Sequence, residues 1–346
     1  MIERNYDIYG LVRIRIVSRH RSILKGLDFP LSYFETDRHS EEPEIILKIG
    51  DFFPSNQESY LIDHKYHVNE NYIYFEEKTG RTKMKFEING FENGPIEIKF
   101  HGKVAGIYNL IASNLLAQDQ VLIPMMGLKL ASKGLFLAHG CGIVSNNQAH
   151  LFLGRGGSLK TTIAMNAVAR NMKLLGDDRI IIDPSKMKVY SFPFFPRMIE
   201  YIIKRNSGEQ LNIISKLNLM RSLRQDFPRI MSIWQHGPVP IKSLNLLSRR
   251  ETNATRLIKS KIEKRIAIDM MNANNKAERS SSSIPRMTYN RFPELMNAYS
   301  FVFPDSSIAH DQENLGKILE NISDEIASYR IEIPRELERE DFDALI

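Results

Sequence analysis

Disulfides and membrane-spanning segments are both missing from this sequence. Its 346 residues include one cysteine, Cys141, which excludes an internal disulfide and suits the reducing cytoplasm, where we expect the protein. No apolar run approaches the roughly 20 residues that would cross a bilayer. The first residues alternate apolar with basic side chains, unlike a secretion signal. We therefore expect no membrane association.

A strong excess of one charge is also missing, since the formal net charge is +6. The densest positive stretch runs from Lys242 to Arg265 and raises the alternative of a nucleic-acid-associated protein. A nucleic-acid-binding surface is usually a clustered stripe of positive charge, whereas most of the positive charges of this chain are scattered along the sequence. We therefore favour an ordinary solvated surface with no nucleic-acid partner, and we note that anionic substrates such as phosphates suit this balance.

Alternating apolar and polar residues predict a β-rich N-terminal region over residues 1–105. The segments 12–17 (VRIRIV) and 44–50 (EIILKIG) have strand character, and turn residues separate the aromatic and β-branched runs that follow. The remaining residues, 106–346, mix helix and strand patterns and predict an α/β domain. There we expect a helix over 106–134 interrupted at Pro124, followed by two strands joined by a turn at 145–148. We expect mostly helical or irregular structure over 205–248 and a loop over 274–286, and then a final helix and strand.

The most informative segment follows the second of those two strands. Phosphate-binding loops have glycine, four residues, glycine-lysine and then serine or threonine, and Gly154, Lys160 and Thr161 stand at matching positions. Glycines let backbone N–H groups point at an anion, and the next helix adds partial positive charge. Lys160 would contact the β- and γ-phosphates of ATP, and Thr161 would offer its hydroxyl to Mg2+. The candidate nucleotide-binding residues are Gly154, Arg155, Gly156, Gly157, Ser158, Leu159, Lys160, Thr161 and Thr162.

Leu159 stands where the pattern has its second glycine. If that position has a positive φ, leucine costs about 1–2 kcal/mol. If the position already belongs to the helix, leucine is harmless. The alternative to a phosphate site is a tight turn in which the glycines serve only sterics, but the strand before the loop and the helix after it favour the phosphate site.

An acidic pair, Asp177 and Asp178, follows one helix later at a strand end. Carboxylates are hard ligands that Mg2+ prefers, so one acid could hold the metal while the other accepts a proton from an attacking hydroxyl. The alternative, a solvated turn, is disfavoured by the nearby loop. His139 is structural unless its strand lies beside the strand that enters the loop. Arg249 and Arg250 could reach a phosphate, although a solvated strand end is the simpler interpretation.

This order of features resembles a known family. It is similar to the kinase domain of HPr kinase/phosphorylase and its relatives. The features that carry the resemblance are, in order, a His-Gly pair on a strand, a hairpin, a glycine-rich loop ending in Lys-Thr-Thr, one helix and an Asp-Asp pair. More distantly, they resemble phosphoenolpyruvate carboxykinase. The likeness covers roughly residues 120–190 and implies an α/β P-loop kinase core of this type beside the β-rich region. The prototype family forms oligomers, so a homo-oligomer is compatible with the resemblance, although no residue specifies one.

The resemblance also implies roles for individual residues. Lys160 matches the phosphate-loop lysine, Thr161 the magnesium-binding hydroxyl, Asp177 the catalytic acid/base, Asp178 its metal-associated partner, and His139 a histidine near the active site. Thr162 stands where HPr kinases have glutamate, which argues against HPr as the substrate. The chain carries no signature of the carboxykinase substrate site, which disfavours decarboxylation.

We therefore expect an ATP-dependent kinase that moves the γ-phosphate to a hydroxyl of a protein or small molecule. Asp177, His139 and Lys160 are its candidate catalytic residues, and Thr161 and Asp178 its candidate magnesium ligands. The alternative is a regulatory or accessory protein that binds a nucleotide without catalysis, which the leucine in the loop motivates. No motif marks the phosphate acceptor, because acceptor sites lie on variable loops.

Overall fold

The computed structural model describes residues 1–18, 31–37, 42–55, 58–79, 82–104, 117–193, 232–250, 256–279, 291–334 and 339–345. Within this part of the chain the fold is mixed α/β, with two large β-sheets and few helices. The chain forms two compact units: Met1–Lys133 with Arg279–Leu315, and Gly134–Glu278 with Gly316–Ile346. The boundary that we predicted after residue 105 stays a prediction, since residues 105–116 lie outside the described part.

The first unit is built on a sheet to which nine described strands contribute. These are β1 (Ile2–Ile8), β2 (Val12–Ser18), β3 (Glu35–Thr36), β4 (Ile45–Ile49), β5 (Tyr60–Ile62), β6 (Tyr66–Asn69), β7 (Tyr72–Thr79), β8 (Thr82–Asn89) and β9 (Ile96–Val104). Their spatial order is β3-β1-β2-β4-β9-β8-β7-β6-β5. Alternation in β2 buries Val12, Ile14 and Ile16 on one face. The strands expected near the start of the chain are therefore present.

The second unit is built on eight strands in its described residues. These are β10 (Phe136–Ser145), β11 (Gln148–Gly154), β12 (Lys173–Gly176), β13 (Arg179–Asp183), β14 (Lys188–Ser191), β15 (Val239–Arg249), β16 (Ile258–Lys261) and β17 (Ala327–Ile333). Their pairing closes on itself, because β10, β13, β14, β15 and β11 each pair with the next and β11 pairs with β10. Strand β12 pairs with β10, and β17 joins β15 to the edge strand β16.

The described helices are α1 (Ile123–Ala131), α2 (Lys160–Ala169), α3 (Lys264–Arg279), α4 (Phe292–Val302), α5 (Asp311–Glu320) and α6 (Arg339–Leu345). A 3-10 turn covers Ser32–Phe34, and a π-helical turn at Gln118–Leu122 leads directly into α1. Helical structure therefore continues through Pro124, which lies where the π-helical turn gives way to α1. Across the described residues, no helix is both long and apolar enough to cross a lipid bilayer.

Two expected segments differ from the structure. The strand that we expected to end near Arg249 is present, but this strand, β15, already begins at Val239, within the segment 205–248 that we expected to be mostly helical or irregular. Residues 205–231 lie outside the described part. Strand β15 runs parallel to both β11 and β17, and its middle is continuously buried. A strand covered on both faces loses the alternation by which strands are recognised in a sequence. Helix α3 continues to Arg279, so the first part of the loop expected at 274–286 is helical, while residues 280–286 lie outside the described part.

Candidate functional site

Strand β10 changes its pairing partner in its middle, and the candidate site lies at this change. Residues up to His139 pair with β13, whereas residues from Gly140 onward pair with β11. The backbone N–H of Gly140 donates to the carbonyl of Asp178 at 3.1 Å, which brings the turn between β12 and β13 to the point of change. The condition that we set for His139 is therefore met, since its strand lies beside the strand that enters the loop.

The candidate phosphate loop leaves β11 at Gly154 and enters α2 at Lys160. A Cβ atom on Gly154 would lie 2.8 Å from the Leu247 carbonyl oxygen and 2.8 Å from the Ser158 hydroxyl. Only glycine fits there, because real side chains essentially never approach a backbone oxygen so closely. The Ser158 N–H donates to the Arg155 carbonyl at 3.1 Å, which closes a tight turn. The loop is therefore compact and held by its own backbone.

Leu159 adopts the left-handed conformation, with φ 61° and ψ 19°. Of the two alternatives for this position, the structure has the one in which leucine is strained. Gly157, two residues earlier, has φ +84°, a conformation that glycine adopts without cost. The loop thus contains two positive-φ positions, and glycine serves only one of them.

The Lys160 side chain is buried beneath the loop, with 5% of its surface exposed. Its ammonium donates to the carbonyl of Gly154, to the carbonyl of Arg155 at 3.1 Å and to the Ser158 hydroxyl at 3.4 Å. A buried ammonium requires such acceptors, because burial without them is costly. The loop carbonyls therefore hold the lysine under the segment where it would meet a phosphate.

The two acids of the pair point to different neighbours, and both are buried. The Thr161 hydroxyl donates to Asp177 Oδ2 at 3.3 Å. Asp178 Oδ1 lies 3.6 Å from His139 Nδ1. The structure thus brings Asp177, rather than the predicted metal partner Asp178, to the loop hydroxyl. The division of the roles of base and metal ligand between the two acids stays a prediction.

Gly176 sets the position of the acidic pair. A Cβ atom on this residue would lie 1.9 Å from the carbonyl oxygen of Arg179 and 2.9 Å from an Ile180 methyl group. The turn that carries Asp177 and Asp178 can fold back this tightly only because β12 ends in glycine. The glycine therefore belongs to the site through the geometry that it permits.

A residue that the sequence analysis missed, Glu278, lies against the loop. Its Oε1 accepts the backbone N–H of Gly156 at 2.9 Å, and its Oε2 lies 3.6 Å from His139 Nε2. Nearby on the same helix, the Asn274 side chain donates to the His139 carbonyl at 3.0 Å. The buried residues of α3 recur at helical spacing (Ala267, Ile268, Met271, Asn274, Asn275 and Glu278). Extending the apolar period of Ala267, Ile268 and Met271 would have brought Glu278 onto this face.

His139 is buried between two carboxylates. The pKa of its imidazole is lowered from 6.5 to about 4 by burial together with the positive charges of Lys160 and Arg179, while Asp178 and Glu278 oppose the shift. Burial is the largest of these effects. The imidazole is therefore neutral at pH 7 and can donate one ring proton and accept at the other nitrogen.

The two arginines at the end of β15 lie at the same sheet edge as the loop, since Gly154 is opposite Leu247 in the parallel pair. Arg249 is exposed, and Arg250 forms an ion pair with Glu332. Elsewhere in the basic stretch 242–265, Lys264 pairs with Asp324 at 3.7 Å. Part of that positive charge is therefore balanced within the second unit, and the expectation of no nucleic-acid partner stays a prediction.

Oxygen donors for a cation are present beside the loop, in the Thr161 hydroxyl and the two aspartates. Within the described ranges, no three His, Cys, Asp or Glu side chains are grouped as a complete metal site. Such a group is not required for Mg2+, which keeps several waters and takes one or two carboxylates together with substrate phosphates. The donor set is therefore of the type that fits this ion.

Two comparisons of the sequence found no match for this chain. No protein-family model matches it, and no curated protein matches it significantly. The resemblance to HPr kinase therefore rests on the motif residues alone.

Replacing Leu159 tests the backbone strain in the loop. Relief of the left-handed conformation is worth about 1–2 kcal/mol, and the greater freedom of glycine in the unfolded chain offsets about 0.4–1 kcal/mol. We expect Leu159→Gly to be more stable than Leu159→Ala by about 0.5–1 kcal/mol in urea denaturation. The alanine variant is the matched control, because it loses the same side chain but keeps the strain. Equal stability of the two variants would contradict the assigned conformation.

The pH dependence of stability tests the burial of His139. Because its folded pKa is about 4, below the ordinary 6.5, the unfolded chain takes up the proton first as the pH falls. Full stability is present above pH 6.5 and is lost progressively toward pH 4. Between pH 7.5 and 5 we expect wild type to lose about 1–2 kcal/mol more than His139→Gln. The exposed residue His310 supplies the control, and a His310→Gln curve that changes as much as that of His139→Gln would refute the assignment.

Proposed function

We propose that this chain is a cytoplasmic ATP-dependent phosphotransferase with a P-loop kinase core of the HPr kinase type. One observation carries the proposal: the Thr161 hydroxyl, next to the loop lysine, contacts Asp177 of the acidic pair at 3.3 Å. A phosphotransferase needs a cation-binding hydroxyl, a lysine and a carboxylate around one phosphate position. A turn with no function has no need of a buried acid at this point.

Backbone chemistry at the loop supports anion binding independently of the motif. The Gly156 N–H already donates to a carboxylate. A donor that binds one anionic oxygen can bind another, so a phosphate oxygen suits the same amide. The loop also follows the carboxyl end of β11, which runs parallel to β15, and leads into α2, which is the strand, loop and helix order of phosphate-binding loops.

In the proposed reaction, the oxygen of an acceptor hydroxyl bonds to the γ-phosphorus of ATP. The bond from that phosphorus to the bridging oxygen breaks, ADP leaves, and the proton of the acceptor passes to Asp177. Lys160 balances charge on the phosphates, while His139 acts as a positioning residue that holds Asp178. Mg2+, when bound by the Thr161 hydroxyl and Asp178, would neutralise charge on the transferred group. The acceptor is a hydroxyl of a protein or small molecule.

A nucleotide-binding protein without phosphotransfer is the second candidate. Leu159 favours it, because a strained leucine stands where an active phosphate loop has glycine. The two candidates share the nucleotide and differ only in turnover. A regulatory or accessory role would therefore be indicated by tight ATP binding without ADP formation.

Asp177→Asn separates binding from chemistry. A positioned base contributes about 10²–10⁴-fold, so we expect at least about a hundredfold loss of phosphotransfer with nucleotide affinity changed by less than about threefold. The measurement uses γ-labelled ATP with water, serine and threonine peptides, and small alcohols as acceptors. Calorimetry on the same samples gives the affinity for Mg-ATP.

Two further variants complete this experiment. Lys160→Met should lose nucleotide binding, because the ammonium that meets the phosphates is gone. Asp269→Asn removes an acid from the exposed face of α3 and should behave as wild type. Undiminished transfer by Asp177→Asn would refute the mechanism, whereas nucleotide binding with no transfer to any acceptor by wild type would favour the second candidate.

A further inference from the structure

We infer that Glu278 is an intramolecular competitor of the nucleotide, whose carboxylate occupies the phosphate position at Gly156 and must leave before a nucleotide can bind. This inference rests on the proposed function, and it adds a regulatory contact that the motif does not contain. The contact joins Glu278 to Gly156, and both residues belong to the second unit.

The Glu278 carboxylate is bound at one oxygen and lies close to His139 at the other. Oε1 accepts the Gly156 N–H at 2.9 Å, within the normal range for a charge-assisted hydrogen bond. Oε2 lies 3.6 Å from His139 Nε2. Only 9% of the residue is exposed, so the carboxylate is enclosed at the site. An exposed acid that met the loop by chance would remain largely solvated.

The same amide cannot serve the carboxylate and a phosphate together. Gly156 has one N–H, and its donation to Glu278 leaves no second proton for an incoming oxygen. A phosphate beside a buried carboxylate would also meet like charge in a medium of low dielectric constant. Binding of a polyphosphate in the loop therefore requires that the glutamate move away or lose its charge.

The position of Glu278 allows such a movement. It is the penultimate residue of α3, whose other buried residues anchor the helix further toward its N-terminus. Asn274 remains bound to the His139 carbonyl at 3.0 Å and holds the helix one turn earlier. A rotation of the Glu278 side chain therefore frees the Gly156 amide without displacing the helix.

Competition of this kind lowers the apparent affinity for the nucleotide in proportion to the fraction of molecules in which Glu278 has left the Gly156 amide. If the site is open about one-tenth of the time, the apparent Kd for nucleotide is about tenfold weaker than the intrinsic value. Removing the carboxylate should recover that factor. If the glutamate is purely structural, its removal should leave the affinity unchanged. If it binds the metal together with the nucleotide, its removal should weaken binding.

The first measurement tests the contact without any nucleotide. Selective 15N-glycine labelling gives 19 glycine signals, and the Gly156 signal is assigned by its loss in Gly156→Ala. We expect the Gly156 amide in Glu278→Ala to exchange with solvent at least about tenfold faster than in wild type. The same substitution should move its chemical shift in the direction of a lost hydrogen bond. An unaltered signal would overturn the inference.

The second measurement is a calorimetric titration of each full-length variant with Mg-ATP. We expect Glu278→Ala to bind about tenfold more tightly than wild type. Glu278→Gln removes the charge but keeps an oxygen that can accept the Gly156 N–H, so its affinity should lie between those of wild type and Glu278→Ala. Asp269→Asn is the matched control, because it removes one carboxylate from the exposed face of the same helix. Melting curves check that each variant is folded.

The outcomes separate the two proposals. Tighter binding in both Glu278 variants, with no change in Asp269→Asn, supports the inference. Equal or weaker binding in the Glu278 variants, while Lys160→Met loses binding, overturns the inference and leaves the proposed function intact. If no variant binds nucleotide although the Gly156 amide responds to Glu278→Ala, the proposed function fails, and the competitor role fails with it.

Discussion

Charge buried in a small volume is the constraint on which the second unit depends. Lys160, Asp177, Asp178 and Glu278 are each no more than 9% exposed. A buried charge is costly unless dipoles or opposite charges satisfy it, and losing one partner of a buried pair costs about 3–5 kcal/mol. The protein meets this requirement with backbone groups of the loop: its carbonyls accept from the ammonium, and its Gly156 amide donates to a carboxylate. The conformation of the loop is therefore tied to the charged side chains that bind its backbone.

The topology explains how these ions come together. Strand β10 pairs with β13 in its first half and with β11 in its second, and the acidic turn fits where the two partners diverge. Strands β11 and β15 are parallel, so their carboxyl ends lie at one edge, with the loop at that edge. Helix α3 then reaches the same place from a distant part of the chain.

The local parts of this site could be predicted from the sequence, and the distant parts could not. Lys160, Thr161 and the acidic pair follow from a pattern confined to one strand, one helix and the next strand. Glu278 is 122 residues from its partner Gly156, and Asn274 is 135 residues from His139. Spacing cannot reveal contacts of that range. The polar composition around 274–286 also hid the helix, because the face that it buries carries asparagine and glutamate as well as alanine, isoleucine and methionine.

Strand β15 shows the same limit from the apolar side. Its central residues are buried without alternation, because neighbours cover both faces of the strand, and such a run has no period that separates strand from helix. The burial of strand β2 on one face only made it recognisable at once. The buried strand β10 was nevertheless recognised, from the turn that follows it rather than from a period, and of β15 only the end near Arg249 was expected as strand.

Leu159 shows what the loop requires of its surroundings. A leucine at φ 61° is strained, and strained backbone persists only where neighbouring contacts over-determine it. Here those contacts are the lysine bonded to the loop carbonyls, the close packing at Gly154 and the bond from Gly156 to Glu278. The contacts that hold the amides in the geometry for an anion are therefore in part the ones that supply an anion from the chain itself. Under the two proposals made above, the carboxylate of Glu278 both helps to order the loop and competes with a phosphate for it.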